Sequence, residues 1–311
     1  MQRKDYIAPL ERLITPELAG LRLDQALARM FPEHSRSRLQ TWVREGLVTV
    51  DAAPAAVKRK VWGGERVALA FAATAAADED RGEQIPLEVV HEDDAILVID
   101  KPAGLVVHPG PGNRRGTLVN ALLHHAPELA GVPRAGVVHR LDKDTSGLLA
   151  VAKTLEAQTA LVRQLAARTV RREYRALVHG RVAAEGEVDA PIGRHPTART
   201  RMAVTTRGKP ARTRYRVLER FADATLLAVT LETGRTHQIR VHMRAIGHPL
   251  VGDRTYGRRA GLAPGDPLAA FPRQALHAAR LGLEHPSSGR WCEWRSPDPA
   301  DLRGMIARLR R

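Results

Sequence analysis

Apolar and polar positions follow two regimes along this 311-residue chain, and the stretch FAATAAADEDRGEQ, Phe71 to Gln84, separates them. That stretch is small, then acidic, with neither helical nor strand periodicity, so it predicts a linker. Before it, LDQALARM sets Leu23, Leu27 and Met30 on one helical face, and Pro32 stops the helix. Ser35 or Ser37 is placed to cap a second helix that buries Leu39, Trp42 and Val43 and ends at Gly46. Short strands follow in LVTV and, after a Gly-Gly turn, in ERVALA. The chain thus divides into an N-terminal tail (1–18), a small α+β module (19–70), a linker (71–86) and a large domain (87–311).

Beyond the linker the pattern is mostly that of strands. AILVID is a buried run that ends in a Pro/Gly loop, KPAGLVVHPGPG, and GTLVNALLHH reads as a helix. GVV, LLAVAK, REYRALVHG, TRYRVLERF and ATLLAVTLETG read as further strands. Period-two alternation puts Tyr174, Ala176 and Val178 on one strand face. Thr154 is placed to cap a helix with Ala157, Leu161, Val162 and Leu165 on one side. In LETGRTHQIRVHMRAIGHPL, Gly234 ends a strand and Thr236 caps a helix whose stripe is Ile239, Met243 and Ile246, closed by Gly247. Arg240 falls beside that stripe, so its stem is anchored while its head points toward a cleft. Strands come in runs with few helices between them, which predicts an α+β mixed sheet rather than a doubly wound one.

Charge sharpens this picture. The formal net charge is +15, carried by 42 Arg against 7 Lys, which suits a polyanionic partner such as RNA. An Arg- and Ala-rich composition alone raises the isoelectric point without meaning, so distribution decides. Nine basic residues and one acid, Glu219, lie between Arg194 and Arg220, whereas Glu83 to Asp100 is acidic. In the N-terminal module Arg36, Arg38 and Arg44 stud the second helix, and Lys58, Arg59 and Lys60 occupy the loop beyond it. Singly these are solvated charges; as a set they predict a phosphate-tracking surface. The single cysteine, Cys292, excludes a disulfide framework and a Cys-based zinc site. No apolar run approaches a membrane span and MQRKDYIAPLERL lacks a signal-peptide core, so a soluble, cytoplasmic protein is expected. Four Phe, four Trp and four Tyr are too few for RNA recognition built mainly on stacking platforms.

Three segments carry candidate chemistry: HRLDKDTSG (His139 to Gly147), REYRA (Arg172 to Ala176) and GRTHQIRVHM (Gly234 to Met243). Taken singly, Asp142 reads as a turn residue, Tyr174 as a half-buried strand tyrosine and Arg240 as a solvated helix charge. Together they resemble the signature of the RluA family of pseudouridine synthases, which rearrange uridine within RNA. DKPAGLVVHPG resembles that family's opening motif, and RLDQALARMFPEHSRSRLQTWVREGLVTV with GGERV resembles the small RNA-binding module first named in a small-subunit ribosomal protein. The resemblance runs from about Leu21 to the C-terminus, with Ser146 where some relatives carry Thr. PRAGVVHRLDKDTSGL and RTRMAVTTRGKPARTRYRV are most similar to members acting on large-subunit ribosomal RNA.

The resemblance implies a pseudouridine synthase fold, α+β with a mixed, largely antiparallel sheet and a central cleft, preceded by the RNA-binding module. It implies that Asp142 is the essential carboxylate, Arg240 its partner, Tyr174 the active-site tyrosine, and Arg140 the residue that fills the space left by a flipped base. A carboxylate suits a reaction that leaves the anomeric carbon electron-poor, and a neighbouring arginine favours its charged form. The expected partner is 23S ribosomal RNA or the assembling large subunit, met by a monomer. An isomerisation needs no metal, nucleotide or redox cofactor, and none is expected. His237 and His242 are five apart and diverge on a helix rather than converge on a metal. Of the rivals, a non-catalytic RNA binder has no use for the Asp142, Tyr174 and Arg240 set. A kinase loop would read His-Arg-Asp rather than HRLD and would need a Gly-rich loop upstream. A small-sugar glycosidase with Asp144 as second carboxylate conflicts with the basic charge and the module.

Overall fold

The structure is a computed structural model that describes residues 10–32, 36–69, 81–110, 112–198, 200–257 and 266–311. It forms two compact units that divide between Arg81 and Gly82. The first is a four-stranded antiparallel sheet in the order β1-β4-β2-β3, built from β1 (Leu10–Leu13), β2 (Val48–Val50), β3 (Ala53–Pro54) and β4 (Arg66–Leu69). Helices α1 (Leu23–Met30) and α2 (Arg36–Arg44) bury Leu23, Leu27, Leu39, Trp42 and Val43 in one core with Val48, Val50 and Val67. This sheet takes in Leu10–Leu13, which the sequence pattern left in a tail. The β1 strand pairs with β4, and Ile14 and Leu18 enter the core. Ser35 and the side chain of Ser37 lie outside the described residues.

Asp24 on α1 is fully buried, yet it accepts hydrogen bonds from Arg22 (3.0 Å), Arg36 (2.6 Å) and Gln40 (2.6 Å). Burial alone would raise its pKa; these partners lower it below the ordinary carboxylate value. Arg36 and Gln40 belong to α2, so this carboxylate ties the two helices together.

The second unit is a nine-stranded sheet. Its main order runs β5 (Glu88–Glu92), β6 (Ile96–Lys101), β7 (Ser146–Ala152), β14 (Leu276–Glu284), β8 (Arg171–His179), β13 (Ala224–Leu231), β12 (Arg212–Arg220), β9 (Gly186–Asp189). Strand β15 (Trp291–Arg295) pairs with β14. Every pairing is antiparallel except β7 with β14, so the sheet is mixed and largely antiparallel. A separate hairpin joins β10 (Ile192–Arg194) to β11 (Met202–Val204).

Both faces are covered, which explains the near-continuous apolar runs of β6 and β7. Leu97, Ile99, Leu149, Val151, Tyr174, Ala176 and Val178 pack on one face with α3 (Leu118–His125) and α5 (Gln238–Ala245). Ile96, Val98, Leu148 and Ala150 pack on the other with α4 (Leu155–Ala167). Leu177 and Leu226 share that second face with α6 (Ala300–Leu309). Thr154 caps α4, accepting from the Ala157 N–H at 3.1 Å, but its stripe is narrower than expected because Val162 is exposed. GVV is not a strand: Arg134, Ala135 and Gly136 make a tight left-handed turn with φ 58°, 49° and 72°, and Val137 makes only an isolated bridge to Val151.

The order β6-β7-β14 places the 140–145 loop at the start of a central strand. Gly147, just past it, has φ +113°, and a Cβ there would strike the backbone of Ala278 on β14. No side chain fits that crossing. Gly147→Ala is expected to destabilise this unit by about 3 kcal/mol, as strain and overpacking do elsewhere, read from urea unfolding of the two proteins.

Candidate active site

The loop Arg140 to Thr145 is short and polar, and buried groups hold it from beneath. Lys101, at the end of β6, donates from Nζ to the carbonyls of Pro102 (2.7 Å), Leu105 (3.0 Å) and Lys143 (3.0 Å). Burial pushes the Lys101 pKa down to about 7, but three carbonyl acceptors use all three protons of the ammonium form. Arg273 donates to the Asp144 carbonyl at 3.0 Å and is paired with Asp301 at 2.7 Å. Gln274 donates to the Thr145 hydroxyl, and buried His277 lies 3.0 Å from Ser146 Oγ and 3.0 Å from Ser296 Oγ. Four consecutive residues, 143 to 146, thus have partners from β6 or from the segment that becomes β14.

Asp142 rises from this base, its side chain 16% exposed. Its Oδ2 accepts from Arg240 Nη1 at 2.9 Å. Arg240, on the first turn of α5, is 8% exposed and has a second partner: Asp253 accepts from its Nε at 2.7 Å and its Nη2 at 2.9 Å. Asp253 is fully buried and also accepts from the N–H groups of Thr255 and Tyr256. The guanidinium therefore lies between two carboxylates. Burial works against its charge, but Asp253 and then Asp142 raise its pKa above the usual arginine value.

The helix that carries Arg240 starts one residue later than Thr236 would place it. His237 is its N-cap, in the left-handed conformation at φ 57°, with no side-chain capping bond. The side chain of Gln238 does that anchoring instead. Its Oε1 accepts from Thr233 Oγ1 (2.8 Å) and the Arg235 N–H (3.0 Å), and its Nε2 donates to the Arg212 carbonyl (3.0 Å). Ile239 and Met243 then pack into the same core as Tyr174 and Leu141.

Tyr174 is buried on β8 as its strand alternation predicts. Burial, with the charge of Asp142 adding to it and Arg172 opposing, raises its pKa, so the ring is a neutral phenol at neutral pH. Arg140 is exposed and, among the described residues, has no hydrogen-bond or ion-pair partner. His237 and His242 do diverge. His237 Nδ1 lies 2.8 Å from the Tyr256 hydroxyl, whereas His242 bonds Thr213 and the Ala190 carbonyl. Among the described residues no group of three or more His, Cys, Asp or Glu is arranged to hold a metal, and no helix is long and apolar enough to cross a membrane.

In the N-terminal unit the candidate RNA-binding residues differ in availability. Arg36 is held by Asp24 and Arg59 by Glu65 at 2.9 Å, and Arg44 reaches Gln40 at 3.4 Å. Lys58 and Lys60 are exposed without a side-chain partner among the described residues. The side chain of Arg38 lies outside the described residues. Sequence reasoning missed Asp253, Tyr256, His237, Lys101 and Arg273. Lys101 and His237 lie inside the singled-out segments DKPAGLVVHPG and GRTHQIRVHM, and the short spacing from Arg240 through VGDRTY marks Asp253 and Tyr256; nothing in the sequence marks Arg273.

Both units have relatives among known proteins. The model of the RNA pseudouridylate synthase family matches residues 95–245, and that of the S4 domain matches residues 21–67. The chain is 58% identical over 302 residues to the ribosomal large subunit pseudouridine synthase D of Nitrosomonas europaea, covering 97% of this chain and 88% of that protein. It is 55% identical to the protein of the same name from Pseudomonas aeruginosa, over 94% of this chain and 93% of the relative. Among solved structures, human RNA pseudouridylate synthase domain containing 1 is similar with a TM-score of 0.56 and 28% identity, over 74% of this chain and 96% of that one.

Removing one partner of a buried ion pair costs about 3–5 kcal/mol, so Asp253→Asn is expected to destabilise the protein by about that much at pH 7. Burial alone would raise the Asp253 pKa; Arg240 and two backbone N–H groups instead bring it below the ordinary 3.8. A carboxyl lowered on folding adds stability above its unfolded pKa and loses it as pH falls through the folded value. The gap between wild type and variant should therefore narrow once pH drops below about 4, a comparison that urea titrations at pH 7 and pH 3 make directly.

Proposed function

The chain belongs to the RNA pseudouridylate synthase family, and from that premise we propose that it isomerises specific uridines of large-subunit (23S) ribosomal RNA, with Asp142 as the essential carboxylate. The observation that carries this reading is the ion pair of Asp142 with a buried Arg240 beside buried Tyr174. The substrate class is supported by relatives named for the large ribosomal subunit that extend along nearly the whole chain. The reaction conserves every atom of the uridine, so it calls for no cofactor. We infer a monomer, and a ribosomal RNA substrate supports a cytoplasmic location.

Pseudouridine formation breaks the glycosidic C–N bond, turns the uracil and rejoins it through a ring carbon. Asp142 acts as nucleophile at the anomeric carbon, as base toward a sugar proton, or as electrostatic partner of the electron-poor sugar. In each route the carboxylate must be ionised and held still. Arg240 supplies both, taking Oδ2 and leaving Oδ1 toward the substrate. A neutral phenol suits Tyr174 to stacking on the uracil; abstraction of a ring proton would require the phenolate, which burial disfavours. Flipping a stacked uridine costs a few kcal/mol, and Arg140 is free to occupy the vacated space.

The N-terminal unit holds the RNA backbone, with Lys58 and Lys60 as the charges left open for phosphates and Arg36, Arg38, Arg44 and Arg59 alongside. Its core is its own, so its removal leaves the catalytic unit intact.

Asp142→Asn is expected to abolish pseudouridine formation on a ribosomal RNA fragment while the RNA Kd stays within about twofold; substantial residual turnover would remove Asp142 from its role. The substrate is tested by mapping pseudouridine in large-subunit RNA from cells with and without the gene, where specific marks should vanish. Release of free uracil in vitro would instead make the enzyme a hydrolase. Deleting residues 1–81 should weaken RNA binding and flatten its salt dependence, with slow turnover retained on short RNA; unchanged affinity and slope would free the module from this role.

A further inference from the structure

Tyr256 touches three parts of the site at once. Its hydroxyl accepts from the backbone N–H of Met202 on β11 at 2.8 Å and lies 2.8 Å from His237 Nδ1. The Arg240 guanidinium lies 5.0 Å from the centre of its ring, within cation–π range. Its own N–H donates to Asp253 at 2.9 Å. Because the phenol oxygen already accepts from Met202, its proton is available to give, and His237 Nδ1 is the acceptor beside it. An imidazole that accepts at Nδ1 carries its proton on Nε2 when neutral. Burial holds His237 below the ordinary histidine range, against the pull of Asp142, so the neutral ring prevails at neutral pH.

That Nε2 lies 3.9 Å from Asp142 Oδ1, the oxygen that Arg240 does not take. The two oxygens of Asp142 are thus faced by two side chains, and Tyr256 contacts both. His237 is placed there by a left-handed backbone, φ 57°, which a β-carbon disfavours. Such strain persists where the surroundings enforce it, commonly at functional sites.

We propose that Tyr256 and His237 are a positioning pair for the isomerisation. Tyr256, anchored on the β11 backbone, fixes the imidazole so that its Nε2–H faces the open oxygen of Asp142. The donor then aims that carboxylate at the sugar while Arg240 holds its other side. This inference rests on the reading of Asp142 as the essential carboxylate.

The test is single-turnover pseudouridine formation on a ribosomal RNA fragment, together with the RNA Kd, for wild type, Tyr256→Phe, His237→Ala, His237→Gln and the double variant Tyr256→Phe/His237→Ala. Tyr256→Phe keeps the ring over Arg240 and removes only the hydroxyl. It should lower the rate about tenfold with Kd within about twofold, as misplacement of a reacting group does. His237→Ala should lose at least as much, and His237→Gln, whose amide nitrogen stands near the Nε2 position, should recover most of it. The double variant should fall no further than His237→Ala, because both changes break one contact. Wild-type rates in either single variant, a loss seen only in Kd, or a double loss equal to the product of the two would each overturn the proposal. If Tyr256→Phe fails to fold, the His237 variants decide: equal rates for Ala and Gln overturn it. A wild-type enzyme that makes no pseudouridine, or an active Asp142→Asn, would mark failure of the underlying functional reading instead.

Discussion

A guanidinium with 8% exposure cannot stay charged alone, and the active site is organised around how Arg240 is neutralised. Asp253 takes two of its nitrogens in a side-on pair, which leaves Nη1 for Asp142. The division is unequal by design of the backbone. Asp253 is locked by the turn that follows it, through the N–H groups of Thr255 and Tyr256, whereas Asp142 keeps one oxygen unused by Arg240. With both carboxylates ionised, the trio carries one net negative charge, and on the proposed reading of Asp142 that charge faces the sugar. A lone Asp–Arg pair would be neutral and would bind both carboxylate oxygens. The third member is what lets the arginine support Asp142 without consuming it.

This arrangement only works if the aspartate loop and α5 hold their distance, and the sheet order sees to that. The loop leads into β7; β6 sends Lys101 beneath it, and β14 with the residues just before it sends His277, Gln274 and Arg273. The helix is fixed from its own side by Gln238 and by Ile239 and Met243 in the core that includes Tyr174. Loop, strand tyrosine and helix therefore meet through one apolar layer, so a shift of any one must disturb the packing of the others.

Periodicity revealed the elements that bury one clean stripe or face: α1, α2, α3, α4, β6, β7, β8, β12 and β13 were all legible. Strand β14 was not, although it pairs with β7, β8 and β15. Its apolar run is broken by Arg280, which belongs to a cross-strand pair with Glu293 and so sits in a sheet despite its charge. Asp142, Tyr174 and Arg240 stood out because their segments resemble a known signature. Asp253 did not, because an aspartate after glycine reads as a turn residue, and its meaning comes only from an arginine on the preceding helix. The start of α5 was misplaced for a related reason: the capping work is done by the side chain of Gln238, reaching back to Thr233 and Arg235, not by a hydroxyl at the expected position.

Composition also overstated the charge available to RNA, and the structure shows where it goes. Within the basic run from Arg194 to Arg220, the β12 arginines are spent on the sheet. Arg212 and Arg214 pair with Glu187, Asp189 and Glu232, Arg216 faces Glu173 at 3.7 Å, and Arg220 donates to the Val182 carbonyl. Arg310 takes up Glu219, the one acid of that run. Arg22 and Arg36 are likewise turned to Asp24. Among the basic residues that stay exposed without a side-chain partner in the described residues are Lys58 and Lys60 of the N-terminal unit, Arg207 and Lys209 beside the β10–β11 hairpin, and Arg140 at the mouth of the aspartate loop. The hairpin is the element whose backbone, at Met202, holds the Tyr256 hydroxyl. Open positive charge and the anchor of the proposed positioning pair therefore belong to one hairpin, since Lys209 bridges Ile192 of β10 and Met202 of β11 holds the Tyr256 hydroxyl.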